Sequence, residues 1–119
     1  MSKKLIPTIL ILHSKELEER LIDEAEAAGL SKSALARRAV DLGFARVLQL
    51  SRRQIMEMTQ TPHGIKVIDL PRLGAHLTYQ TDNLLRSVAD GLRIPLWRVY
   101  SLSIEFGLDA LPEIARAAE

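Results

Sequence analysis

The chain predicts a mainly α-helical fold with two short strands, in the order strand, helix, helix occurring twice. Three observations carry this. The hydrophobic period changes twice within residues 8 to 44; serines stand where helices would begin; and the same order of features recurs 64 residues later. Thr8 to His13 is rich in β-branched and aliphatic residues and predicts a strand. Ser14 can offer its side-chain oxygen to the free N–H groups of a helix starting at Lys15. Leu17, Leu21, Ile22, Ala25 and Ala28 follow at helical spacing, and Gly29 can close the helix in a left-handed conformation. Ser31 then caps a second helix carrying Ala34, Leu35, Ala39, Leu42 and, after Gly43, Phe44. Such a unit cannot bury its apolar face alone, because its strand has no partner for its N–H and C=O groups.

With Gly-Leu-Ser-Lys-Ser-Ala (29 to 34) at the helix junction, residues 8 to 44 resemble the ribbon-helix-helix family of bacterial DNA-binding proteins. The resemblance implies an antiparallel two-stranded ribbon that enters the DNA major groove. The second strand is expected within the same chain. An offset of 64 sets Ile6-Pro7 against Leu70-Pro71, Leu21 against Leu85, Ala25 against Ala89, Leu30 against Ile94, and Val40-Asp41-Leu42-Gly43 against Ile104-Glu105-Phe106-Gly107. The second copy begins with a strand from about Arg72 through Leu77. A helix capped by Thr78 or Thr81 follows, and then a last helix with Pro95 in its first turn. The fold class is therefore mainly α with a short two-stranded antiparallel β-ribbon: two ribbon-helix-helix units folded as one pseudo-twofold domain over residues 1–119. The units span 6–46 and 66–111, joined by a helical extension and linker (47–65) and followed by a tail (112–119). About twenty linking residues reach up to about 66 Å when extended, far beyond the radius of about 13 Å expected for such a domain. Intramolecular pairing and a monomer are expected.

Composition fits one domain of 119 residues, 47% hydrophobic. Cysteine is absent, which excludes disulfides and thiolate metal sites. Leu5 to Leu12 is a short apolar run broken by Pro7, so neither a secretory signal nor membrane attachment is expected, and the cytoplasm is the expected location. Net charge is only +1, and Lys+Arg against Asp+Glu is 10 to 8 over residues 1–58 and 6 to 7 over 59–119. A nucleic-acid binder of this composition must place its positive charge locally.

Strand alternation assigns the candidate reading face. If His13 points inward with Ile11 and Ile9, then Thr8, Leu10 and Leu12 point outward, where Leu offers only apolar contact, for example with a thymine methyl. The alternative for Leu10 and Leu12 is burial, through a one-residue shift of register or coverage by another segment. On the second strand, Leu73, Ala75 and Leu77 inward leave Arg72, Gly74 and His76 outward. Arg72 suits bidentate bonding to guanine and His76 a base or phosphate; a solvated edge charge and a surface histidine are the plain alternatives. Ser31, Lys32 and Ser33 at a helix start match the phosphate clamp that the resemblance implies, while Ser31 also serves as a cap. The equivalent Pro95, Leu96 and Trp97 weaken that clamp in the second copy. Lys3 and Lys4 can form an arm to backbone phosphate, or simply a solvated terminus.

Other patterns point to no chemistry. Glu16, Glu18, Glu19, Asp23, Glu24 and Glu26 form the polar side of one helix near Lys15 and Arg20. His13, His63 and His76 have no metal-ligand spacing, and no nucleophile stands at motif spacing from a base. Trp97 and Tyr100 read as core rather than as a stacking platform. No catalysis, metal or cofactor is expected. Tandem units of this kind resemble accessory proteins of bacterial conjugation, the TraY type, and the Agrobacterium proteins that assist T-DNA border cleavage. That implies double-stranded DNA as partner, with a relaxase or other DNA-processing protein beside it. A transcriptional repressor or antitoxin is the first alternative, and a protein-interaction module docking through an apolar strand face is the second.

Overall fold

The computed structural model describes the backbone of residues 4–118 and the side chains of residues 4–111. The element order is β1 (Leu5–Ile11), α1 (Lys15–Ala28), α2 (Lys32–Val47), α3 (Arg52–Met58), a 3-10 turn (Val67–Asp69), β2 (Arg72–Thr78), α4 (Tyr79–Leu92) and α5 (Leu96–Ala118). Strand, helix, helix thus occurs twice. Local chemistry sets most boundaries. The Ser14 hydroxyl accepts from the Leu17 N–H and Gly29 closes α1 at φ 70°, while Ser31 accepts from the Ala34 N–H at the start of α2. Ser51 and Gln54 form a reciprocal capping box on α3. Some boundaries differ from expectation. β1 spans Leu5–Ile11 rather than the run Thr8 to His13, since the ladder with β2 begins at Leu5 and the chain bends at His13. Pro95 precedes α5 rather than lying in its first turn, and α5 runs through the segment expected as a tail as far as Ala118.

β1 and β2 pair antiparallel as a two-stranded sheet, with Leu5 opposite Thr78, Pro7 opposite His76, Ile9 opposite Gly74 and Ile11 opposite Arg72. The Leu12 N–H donates to the Pro71 carbonyl at 2.9 Å and the Tyr79 N–H to the Lys4 carbonyl at 2.9 Å, extending the ladder at both ends. Alternation of the ladder then places Pro7 at a position where no cross-strand N–H is needed.

The strand faces correct one expectation. Leu10 and Leu12 are buried in the core, and Thr8 lies half-buried on the same face, opposite Ala75, so none of the three points outward. The outward residues of β1 are Leu5, Pro7, Ile9 and Ile11. The physical reason lies at His13, where the chain bends before α1, so the side-chain direction of His13 cannot be propagated back along the strand. His13 does turn toward the helices: its N–H donates to Ser101 Oγ at 2.8 Å and its Nε2 lies 3.1 Å from Glu105 Oε1. On β2 the expected alternation holds, with Ala75 and Leu77 buried and Arg72, Gly74 and His76 exposed.

The inner face of the ribbon lies on the α2/α5 pair, and one core joins elements from the whole chain, including Leu10, Leu21, Leu35, Val40, Leu77, Leu85, Leu102 and Ile104. α2 and α5 pack on one another more extensively than any other two helices. They touch backbone to backbone. A Cβ on Gly43 would overlap the Ser103 carbonyl and the Gly107 N–H, and one on Gly107 would overlap the Ala39 backbone. Among the described residues no helix is long and apolar enough to cross a membrane.

Two polar clusters complete the packing. Asp82, buried in α4, accepts from the Tyr100 hydroxyl of α5 and from Arg86 Nε at 2.8 Å. Arg98 of α5 donates through Nη1 to the carbonyl and hydroxyl oxygens of Thr59 at 3.0 and 3.1 Å, which ties the end of α3 to α5. Burial, and the bond to Asp82, push the Tyr100 hydroxyl pKa well above the usual 10.

Gly43→Ala and Gly107→Ala are each expected to destabilise the protein by about 3 kcal/mol, because backbone, unlike a flexible side chain, cannot give way. Gly91→Ala, at an α4 position with open space around it, is expected to stabilise by about 0.5–1 kcal/mol; urea unfolding of the three variants measures the contrast. A second expectation concerns pH. The folded protein keeps the Tyr100 proton where the unfolded chain has lost it, so this contribution is complete below about pH 10 and is lost as pH rises above it. Tyr100→Phe should cost about 1–3 kcal/mol at pH 8. It should also show a shallower alkaline decline than the parent in unfolding midpoints followed from pH 8 to 11.

Candidate nucleic-acid interface

The exposed face of the ribbon and the amino end of α2 lie side by side. The junction is a single hydrogen bond: Ser33 Oγ donates to the Gly74 carbonyl at 2.6 Å. Because Gly74 and Ile9 form a pair whose backbone groups point away from each other, that carbonyl faces the free edge of β2. The hydroxyl of Ser33 therefore anchors the helix end to the ribbon and has no proton left for a phosphate. What remains at this helix end is the Lys32 ammonium, exposed and in no ion pair among the described residues, and the first backbone N–H groups of α2. Ser31 spends its oxygen on the Ala34 N–H at 3.1 Å, so its role here is the cap. Between helix end and ribbon lies a shallow hollow of about 370 Å³, lined by Pro7, Ile9, Ser33, Gly74 and His76 among others.

Across the ribbon face the two strands differ in chemistry. β1 shows Pro7, Ile9 and Ile11, and Ile9 is 63% exposed. β2 shows Arg72, Gly74 and His76. His76, opposite Pro7, has no hydrogen-bond partner among the described residues. Arg72, opposite Ile11, is not simply solvated: its Nη1 donates to the Ile68 carbonyl at 2.9 Å and the Leu70 carbonyl at 3.3 Å. That geometry fixes the guanidinium at one end of the ribbon and leaves Nε and Nη2 for another acceptor. At the other end Lys4 Nζ sits 5.3 Å from the Tyr79 ring centroid. Lys3 lies outside the described residues.

The amino end of α5 is built differently. Pro95 stands before it, and Arg98 is turned inward, stacked 4.7 Å from the Trp97 ring centroid and bonded to Thr59. Burial lowers its pKa. With that cation occupied, the α5 end offers no counterpart of Lys32.

Of the expected residues, Ser31, Lys32, Ser33, Gly74 and His76 are brought together around one edge of β2. Arg72 and Lys4 mark the two ends of the ribbon, and Thr8, Leu10 and Leu12 face the core. Leu5, Pro7 and Ile9, with the half-buried Ile11, are the outward strand residues that the sequence reading missed. A hydropathy signal could not have found them, since β1 is apolar on both faces; the absence of an N–H at Pro7, at home only at an unpaired position, is the one local clue to the register. No protein-family model, no curated protein and no solved structure matches the chain.

Proposed function

We propose that this chain is a non-catalytic double-stranded DNA-binding protein that inserts its β-ribbon into the major groove, built as two ribbon-helix-helix units in one polypeptide. The observation that carries the reading is the exposed antiparallel ribbon with the amino end of α2, and Lys32, sewn to its edge through Ser33 and Gly74. Two strands about 4.8 Å apart fit a groove about 12 Å wide, and a helix amino end beside them suits a flanking phosphate.

The pseudo-twofold relation has its own support. α1 and α4 each have 14 residues and start 64 positions apart, and the starts of α2 and α5 are also 64 positions apart. Gly43 and Gly107, also 64 apart, contact each other's helix, Gly43 against Ser103 and Gly107 against Ala39. Asp41 Oδ2 accepts from Thr78 Oγ1 at 3.1 Å, just before α4, and Glu105, 64 positions on, meets His13 just before α1. The strands depart from this spacing, with β1 and β2 starting 67 positions apart, because three residues separate β1 from α1 and none separates β2 from α4. In this reading a single chain supplies both strands and acts as a monomer in the cytoplasm. The resemblance to conjugation and T-DNA accessory proteins suggests a role beside a DNA-processing enzyme such as a relaxase, with a repressor or antitoxin role as the alternative. A second reading, docking of a protein partner, is favoured by the apolar β1 face and by Ile68, 74% exposed beside Arg72.

A mobility shift with random duplex at several salt concentrations separates the two. Salt-sensitive binding is expected, and Lys32→Ala should weaken it alike on all sequences and make the salt slope shallower by about one unit. Unchanged affinity and slope in the folded variant would remove α2 from the interface. Selection from random duplexes should return a short, non-palindromic site, since the two strands present unlike groups. Arg72→Ala should cost about 1–3 kcal/mol at one base pair and affect non-specific binding less. A symmetric palindrome, or full base preference in that variant, would show that Arg72 does not read the groove.

A further inference from the structure

We propose that Ile9, at the centre of the ribbon, reads thymine by its C5-methyl group, so that the β1 half of the site selects T by apolar contact while the β2 half selects by hydrogen bonds. The inference rests on the DNA-binding reading above and deepens it.

Four observations meet at this point. The outward side chains of β1, Leu5, Pro7, Ile9 and Ile11, carry no polar atom, so this strand cannot hydrogen-bond a base edge through its side chains. Ile9 is the most exposed large apolar residue of the ribbon, at 63%. Its cross-strand neighbour is Gly74, and a Cβ there would lie 4.0 Å from Ile9 Cδ1 with no other atom within that distance. The side chain of Ile9 therefore borders a gap that Gly74 leaves open. Finally, cationic and hydrogen-bonding groups surround this apolar centre rather than sharing it: Arg72 at one end, His76 at the other, Lys32 beyond the β2 edge. That charge distribution complements a phosphate-flanked groove.

In the major groove, A, G and C present N7, O6, N6 or N4 to a probe at the centre, and only T presents a methyl group. An isoleucine pressed against a polar base edge would strip its water and return no hydrogen bond. Against a methyl group the same contact removes apolar surface from water on both sides, a gain equivalent to about fourfold in affinity for one buried methyl. The preference thus arises from what the other bases lose as well as from what thymine gains.

The test uses the intact protein and its selected duplex, with each thymine replaced singly by deoxyuridine, which pairs identically and lacks only the methyl. At one thymine or two adjacent ones near the centre of the site, the substitution is expected to weaken binding about fourfold with an unchanged salt slope. Ile9→Ala, which alters an exposed position and should keep the parent's circular dichroism, is expected to bind the thymine and deoxyuridine duplexes equally. If the parent binds duplex but every deoxyuridine duplex equals its thymine counterpart, the methyl-reading assignment is overturned and DNA binding stands. If Ile9→Ala keeps the discrimination, the methyl is read elsewhere and the assignment to Ile9 is overturned. If no salt-sensitive duplex binding occurs at all, the DNA-binding reading fails and this inference with it.

Discussion

The backbone contact between α2 and α5 at Gly43 and Gly107 is the constraint on which the rest of the molecule depends. With no side chain at either position the helices approach until Gly43 rests on the Ser103 carbonyl and Gly107 on Ala39. At that separation, Ala39, Val40, Leu102 and Ile104 on the same faces are sealed from water. The ribbon is laid over this pair with Leu10, Ala75 and Leu77 turned down into it. Widening the crossing by one methyl group would lift the floor under both strands. Two glycines in long helices are unfavourable by intrinsic propensity, and their retention is explained by close packing that only they permit.

Polar groups locate the ribbon over that floor. Asp41 of α2 holds Thr78, and Ser101 and Glu105 of α5 hold His13, so each central helix grips a strand-to-helix joint. Thr78 gives its hydroxyl to Asp41 and makes no side-chain cap on α4. A capping bond is given up in favour of a bond that ties a strand end to the core, which has the larger structural effect because it fixes the register of β2 against α2. Asp82 plays the corresponding part within the second half. A buried carboxylate is costly unless several donors satisfy it, and Tyr100 and Arg86 supply them.

The exposed side of the ribbon is asymmetric for reasons that begin in the core. Of α2 and α5, it is α2 that carries a serine at its second position, Ser33, hooked to the β2 edge, and beside it Lys32 is exposed and in no ion pair among the described residues. At the α5 end Arg98 is committed to closing α3 against the body, so its charge is structural. Arg72 holds the end of the linker through Nη1, and its Nε and Nη2 make no hydrogen bond among the described residues. The amino ends of α2 and α5 therefore present different chemistry at the surface.

The sequence by itself determined the bounds of α1 and the start of α2. Ser14, Gly29 and Ser31 act through atoms a few residues away, and these boundaries follow from them directly. The recurrence at 64 residues aligned Gly43 with Gly107 as helix ends, whereas both lie inside their helices at the crossing; the alternation of β2 was legible because Arg72 and His76 are polar and Leu73 and Leu77 are not. The face of β1 was not legible. Leu5, Ile6, Ile9, Leu10, Ile11 and Leu12 are nearly alike in hydropathy, and a one-residue change of phase costs nothing in local terms. Tertiary structure decided it, because only the α2/α5 surface distinguishes Leu10, which it buries, from Ile9, which it leaves in water. The same holds for the hydroxyl of Ser33, the guanidinium of Arg98 and the outward turn of Ile9. Their partners, or lack of them, lie tens of residues away in the chain, and no local pattern encodes a contact that exists only after the two halves have closed on each other.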